Sequence, residues 1–203
     1  MADQKVIEIV RALRGSVSLV ILDEPTASLP AREKEQLWGI IRSLPAQGVG
    51  VVLISHFLSE IKALSDRITV LRDGRLIRTE RAEALAEGDL VDMMLRRTGG
   101  TGAGAVAGGR RDVGPVVLAV RDWQVGAVTV PDFAIRAGEI VGLIGLTGSG
   151  HFGFARSLYS GAGVRCGAFE VGGRAIRPGT PRTMQAASVA LVPDHRMENA
   201  LIA

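Results

Sequence analysis

A single cysteine, Cys166, in 203 residues leaves no internal disulfide to make and suits a reducing compartment. Long hydrophobic runs are missing too. A membrane-spanning helix needs roughly 20 apolar residues, and stretches such as 17–22, 49–54 and 140–146 fall far short. The opening Met1-Ala2-Asp3-Gln4-Lys5-Val6 lacks the basic, then apolar, then small-residue order of a secretory signal. There is no basic block: 24 Lys plus Arg stand against 21 Asp plus Glu and are scattered along the chain, which argues against a nucleic-acid partner. A protein of this kind that works at a membrane must be docked there by a partner.

What is present is a globular composition, 47% hydrophobic, in an order typical of α/β chains. Residues 4–13 carry apolar side chains at helical spacing, with Gly15 after them. Residues 17–22 form a continuous β-branched run closed by Asp23-Glu24-Pro25, as in a strand buried on both faces of a parallel sheet. A helix over 31–44 and a second buried strand over 48–54 complete a βαβ unit. A short helix is expected over 57–64. The strands 68–72 and 76–77 flank Asp73-Gly74, a type I′ hairpin signal, and a helix over 81–95 ends this half.

Residues 98–109, TGGTGAGAVAGG, cannot build a core and read as a flexible linker. The boundary is therefore placed at 98–113, between segments 1–97 and 114–203. After it, strands are expected over 116–120, 127–135 and 140–144, then a glycine-rich turn, a helix over 151–159, and strands over 169–176 and 187–192. The two segments look like complementary parts of one domain type.

Three clusters can carry chemistry. LVILDEPTASL, residues 19–29, delivers adjacent carboxylates at the end of a buried strand. In P-loop ATPases that sheet edge faces the nucleotide, so Asp23 would hold Mg²⁺ and Glu24 would polarise the attacking water. An isolated Asp-Glu-Pro reads more readily as a solvated turn; the whole eleven-residue string reverses that. About thirty residues on, VVLISH ends another buried strand in Ser55-His56, where a histidine can reach a γ-phosphate.

The third cluster, residues 138–160, runs strand, turn, helix, with Gly145, Gly148, Ser149 and Gly150 in the turn. Bare N–H groups and a positive helix end suit phosphate oxygens. The pattern G-x-x-x-x-G-K-[ST] is broken, since His151 takes the lysine position and Phe152 the metal-ligating hydroxyl position. Trp123 is expected to pack a strand face rather than stack on a base, and Cys166 to be a bystander.

DEPTASL, ISHFLSEI and DRITVLRDGRLI resemble the Walker B, D-loop, switch-histidine and terminal hairpin segments of ATP-binding-cassette ATPases. MADQKVIEIVRAL is similar to the helix after that family's signature sequence, and Pro30 stands where many members have a D-loop aspartate. The degenerate glycine loop and LVPDHR, with Asp194 in the glutamate position and His195 replacing aspartate, are similar to the second cassette of sugar importers whose two cassettes are fused.

The resemblance implies an α/β P-loop fold made of two incomplete domains: the back half of a first nucleotide-binding domain and the front half of a second. It implies an ATPase using ATP and Mg²⁺ to energise import of a simple sugar of the ribose, galactose or xylose kind. Glu24 and His56 would be catalytic and Asp23 a metal ligand, with Gly145, Gly148, Ser149, Gly150, His151 and Asp194 at the nucleotide. Membrane permease subunits and, through them, a periplasmic or extracellular sugar-binding protein would be partners, at the cytoplasmic face of the membrane. A second cassette or second copy would complete the ATP site, with the glycine loop lying on the other domain from Glu24 and His56. The chain is expected to be truncated and inactive alone; the alternatives are a non-catalytic remnant or a cassette-type factor acting on nucleic acid.

Overall fold

The structure, a computed structural model, describes residues 2–13, 16–27, 29–95 and 112–193, with side chains from residue 7 onward. The expected linker lies mostly outside the described residues, as does Asp194.

In chain order the elements are α1 (Ala2–Ala12), β1 (Leu19–Asp23), α2 (Ala31–Ser43), β2 (Gly50–Ile54), α3 (Leu58–Leu64), β3 (Arg67–Arg72), β4 (Arg75–Arg81) and α4 (Glu87–Leu95). Beyond the linker come β5 (Val116–Val125), β6 (Val128–Arg136), β7 (Ile140–Ile144), α5 (His151–Ser160), β8 (Val164–Arg165), β9 (Ala168–Val171), β10 (Arg174–Ala175), α6 (Pro181–Ala186) and β11 (Val189–Val192). The strands share one curled sheet. Its parallel part runs β3-β7-β2-β1-β11, and it continues from β3 through β4, β6, β5, β9 and β10, with β8 on β5, by antiparallel pairings except for a single parallel bridge between β4 and β6 at Arg75 and Thr129.

The segments before and after the linker are interleaved in that sheet. β7, from the second segment, lies between β2 and β3 of the first, and β11 flanks β1. The expectation that the glycine loop sits apart from the first segment therefore does not describe this arrangement. Hydrophobic pattern explains the insertion: β1, β2 and β7 are apolar at nearly every position and buried at all five, so each needs strands on both edges and cover on both faces. Val20 and Leu22 face one core with Leu37, Ile41 and Ile61 from the helices of the first segment. Leu19 and Ile21 face the other, built from Leu118, Ile135, Phe154 and Leu158 of the second. Each buried side chain of this size contributes about 1.5–3 kcal/mol, so neither face could be left open without cost.

Two local expectations change. The helix over 81–95 is shorter, because residues 75–81 pair with β3 as β4. α4 starts only at Glu87, where Asp89 Oδ2 accepts from the Ala86 N–H at 2.7 Å in the manner of a capping box. The strand over 169–176 is a hairpin instead, broken at Gly172 and Gly173 with φ of 57° and 73°. Asp73 and Gly74, with φ of 51° and 75°, make the turn expected of that dipeptide between β3 and β4. Trp123 is fully buried in the core, its ring edge-on to Phe169 and its Nε1–H donating to Ser157 Oγ at 2.9 Å. No described helix is long and apolar enough to cross a membrane.

Candidate functional site

Parallel register brings the clusters to one edge. Asp23 pairs with Ile54 and Ile54 with Leu143, so β1, β2 and β7 end together, delivering Glu24, His56 and the glycine loop side by side. The Glu24 N–H donates to the Ile54 carbonyl at 3.0 Å. Glu24 itself has φ of 45°, a left-handed conformation unusual for a non-glycine residue.

One oxygen of Glu24, Oε1, receives the His56 backbone N–H at 3.1 Å and lies 2.8 Å from His56 Nδ1. That contact fixes the imidazole: with Nδ1 as donor, Nε2 is left for another group. Glu24 is buried while the His56 side chain is 56% exposed, so the pair runs from the protein interior to its surface. Both line a cleft of about 430 Å³ with Ala27, Met94, Gly145, Leu146, Thr147, His151 and Phe152.

The glycine loop, residues 145–150, is drawn tight around its own side chains. A Cβ at Gly145 would collide with Ser149 Oγ and with the Leu71 carbonyl oxygen, and at Gly150, where φ is 90°, with Val128. Gly150 is the N-cap of α5 with no side-chain cap, which leaves the helix's first N–H groups for an anion. His151 is 1% exposed. Its Nδ1 lies 2.6 Å from Ser149 Oγ, and Nε2 is buried without a hydrogen-bond partner. Burial, and next the charge of His56, push its pKa down to about 4, so the ring is neutral near pH 7. The position expected to touch phosphate is thus occupied by an uncharged ring folded inside the loop.

Asp23, fully buried, accepts the Nε–H of Arg156 at 2.6 Å through Oδ2. A divalent cation does not fit this arrangement: an arginine already engages the carboxylate, and Phe152 carries no oxygen. Among the described residues no three His, Cys, Asp or Glu side chains are grouped to hold a metal.

Two residues escaped the sequence reading. Glu60 is buried, its Oε2 accepting Thr26 Oγ1–H at 2.6 Å and Ser55 Oγ–H at 3.0 Å, while Lys34 Nζ donates to Oε1 at 3.2 Å. It ties the turn after Glu24 to the turn before His56. Its one trace in the sequence is an acid in the first turn of α3, five residues after Ser55. Arg156 is the other; only the insertion of β7 brings its helix to β1. Cys166, partly buried with its pKa raised by burial, touches none of these groups.

The whole chain aligns with a ribose import ATP-binding protein of Rubrobacter xylanophilus at 41% identity, covering 38% of that protein. It aligns likewise with a ribose import ATP-binding protein of Streptomyces avermitilis at 39% identity, covering 40%, and with an arabinose import ATP-binding protein of Burkholderia ambifaria at 37%, covering 39%. The chain thus spans about two fifths of the length of these curated relatives. No family model and no solved structure matches it. From its first residue to its last, the chain is homologous to the ATP-binding-cassette proteins of sugar import.

Proposed function

We propose that this chain contributes an ATP site to the energising subunit of a sugar importer: phosphates at the loop 145–150 and the N-terminus of α5, with Glu24 directed at the water that attacks the γ-phosphate. The observation that supports this most is the Glu24–His56 pair, 2.8 Å apart, in one cleft with Gly145 and His151. Glu24 would accept a proton from that water, and His56, with Nδ1–H on Glu24 and a second proton on Nε2, would donate through Nε2–H to an oxygen of the transferred phosphoryl group. Segments 1–97 and 114–203, each carrying what a nucleotide-binding domain lacks in the other, would furnish the two sides of the site. A second cassette or copy would close it.

Nucleotide held this way binds weakly. Lysine gives phosphates a fixed charge, and neutral His151 gives at most one hydrogen bond. The Mg²⁺ expected at Asp23 would meet a carboxylate already engaged by Arg156. In this reading permease subunits dock the chain at the cytoplasmic face of the membrane, and a sugar-binding protein delivers the sugar to them.

The test is titration of the chain with ATP, followed by phosphate release from the chain and from its Glu24→Gln variant. Saturable binding weaker than micromolar is expected, with Glu24→Gln leaving affinity within threefold. Any turnover present should fall at least tenfold in the variant. An absence of binding at millimolar ATP would overturn the reading.

A further inference from the structure

We propose that Arg156 is a built-in replacement for the divalent cation at Asp23, so that the site takes its anionic ligand without metal. The proposal rests on the reading of the cleft as a phosphate site only for its second arm; the first concerns Asp23 alone.

A carboxylate with no exposed surface must find a positive partner, because an uncompensated buried charge costs several kcal/mol. In this chain the partner is covalently supplied. Arg156 lies on the helix that follows the glycine loop, one turn beyond Phe152, and its Nε reaches Oδ2 of Asp23 across 133 positions of sequence. The guanidinium cannot lose its charge at any ordinary pH. Its side chain is 39% exposed and needs no rearrangement to stay paired.

A small divalent ion would have to displace this pair, shed water and find further oxygens. The hydroxyl position of the motif, on the same helix, carries a phenyl ring, and no acidic trio is grouped for a metal among the described residues. The three departures point one way. The lysine position carries a neutral ring, the hydroxyl position carries none, and the carboxylate is already satisfied. Together they remove both cationic contributions at the phosphate while Arg156 supplies a fixed cation at Asp23.

The first arm uses Mn²⁺ alone, followed by electron spin resonance of the free ion. The unaltered chain and Arg156→Lys should leave the Mn²⁺ signal unchanged at 1:1 stoichiometry and roughly 0.1 mM, a range in which a single carboxylate does not retain the ion. Arg156→Gln should bind at least tenfold more tightly than either, and adding Asp23→Asn to it should abolish that gain. The second arm measures ATP affinity with excess Mg²⁺ and with a chelator; the two values should agree within threefold.

Mn²⁺ binding by the unaltered chain that Asp23→Asn removes would overturn the proposal, as would a tenfold or greater loss of ATP affinity in chelator. Failure of ATP to bind at all would sink the phosphate-site reading while the Mn²⁺ arm still decided the role of Arg156. Should Arg156→Gln fail to fold by circular dichroism, the unaltered chain, Arg156→Lys and the chelator comparison decide it.

Discussion

Glu24 Oε1 is shared by two groups of one residue, the ring Nδ1 and the backbone N–H of His56, so the carboxylate is held by the very strand end that follows it in the sheet. Removing the ring leaves the backbone bond in place. His56→Ala should therefore lower stability by only about 1 kcal/mol, the usual worth of one hydrogen bond, measured by urea unfolding. A loss above 3 kcal/mol would mean that the ring carries packing as well.

Glu60 should matter more to stability than either member of that pair. Its carboxylate takes three donors, and Glu60→Ala would strand Thr26, Ser55 and Lys34 together. The expected loss is about 2–4 kcal/mol. Glu60→Gln keeps one acceptor oxygen and should lose roughly half as much. Equal losses for the two variants in urea melts would show that burial of the side chain, not its oxygens, is what counts.

Within the glycine loop the three glycines should differ. Gly148→Ala meets open space and suffers only the strain of a φ of 84°, about 1 kcal/mol. Gly145→Ala strikes Ser149 and Leu71, and Gly150→Ala combines a φ of 90° with a collision at Val128, so each should cost at least about 2 kcal/mol. Thermal melts of the three single variants give the order directly; a Gly148 variant that melts below the other two would contradict it.

Stability should fall on mild acidification, and His151 sets the window. Its folded pKa of about 4 lies below the ordinary 6.5, so between those values the unfolded chain binds a proton that the folded chain does not. The contribution of the neutral ring is complete above 6.5, declines as pH drops towards 4, and amounts to no more than about 3 kcal/mol. His151→Gln, which cannot titrate, should flatten the unfolding free energy between pH 7 and 5 relative to the unaltered chain. Parallel pH profiles would assign the acid sensitivity elsewhere.

Much of the fold is legible because the signals are local. The apolar run before Asp23, the Asp73-Gly74 dipeptide and the glycine turn before His151 each specify their own geometry, and all three appear where the pattern puts them. The end of β4 was not legible, since an alternation of charged and apolar residues over 75–95 suits helix and strand alike until β3 is beside it. The same holds at the site. Asp23, Glu24 and His56 stand out by residue type and position, whereas Arg156 is an ordinary helical arginine until β7 enters between β2 and β3. What no local pattern carries is which strand becomes whose neighbour.

The insertion of β7 also fixes how late in synthesis the sheet can close. A ribosome delivers β1, β2 and β3 long before β7, and the partner of Ser18 lies 170 residues further along the chain at Ser188. During that interval β2 has one open edge and β1 another, each a row of unpaired amides beside valine and isoleucine. Non-local pairings of this span close slowly, so the nascent chain passes through a period in which the most adhesive strands of the molecule are exposed. Its yield on synthesis will depend on how well those strands are shielded until β7, and then β11, emerge.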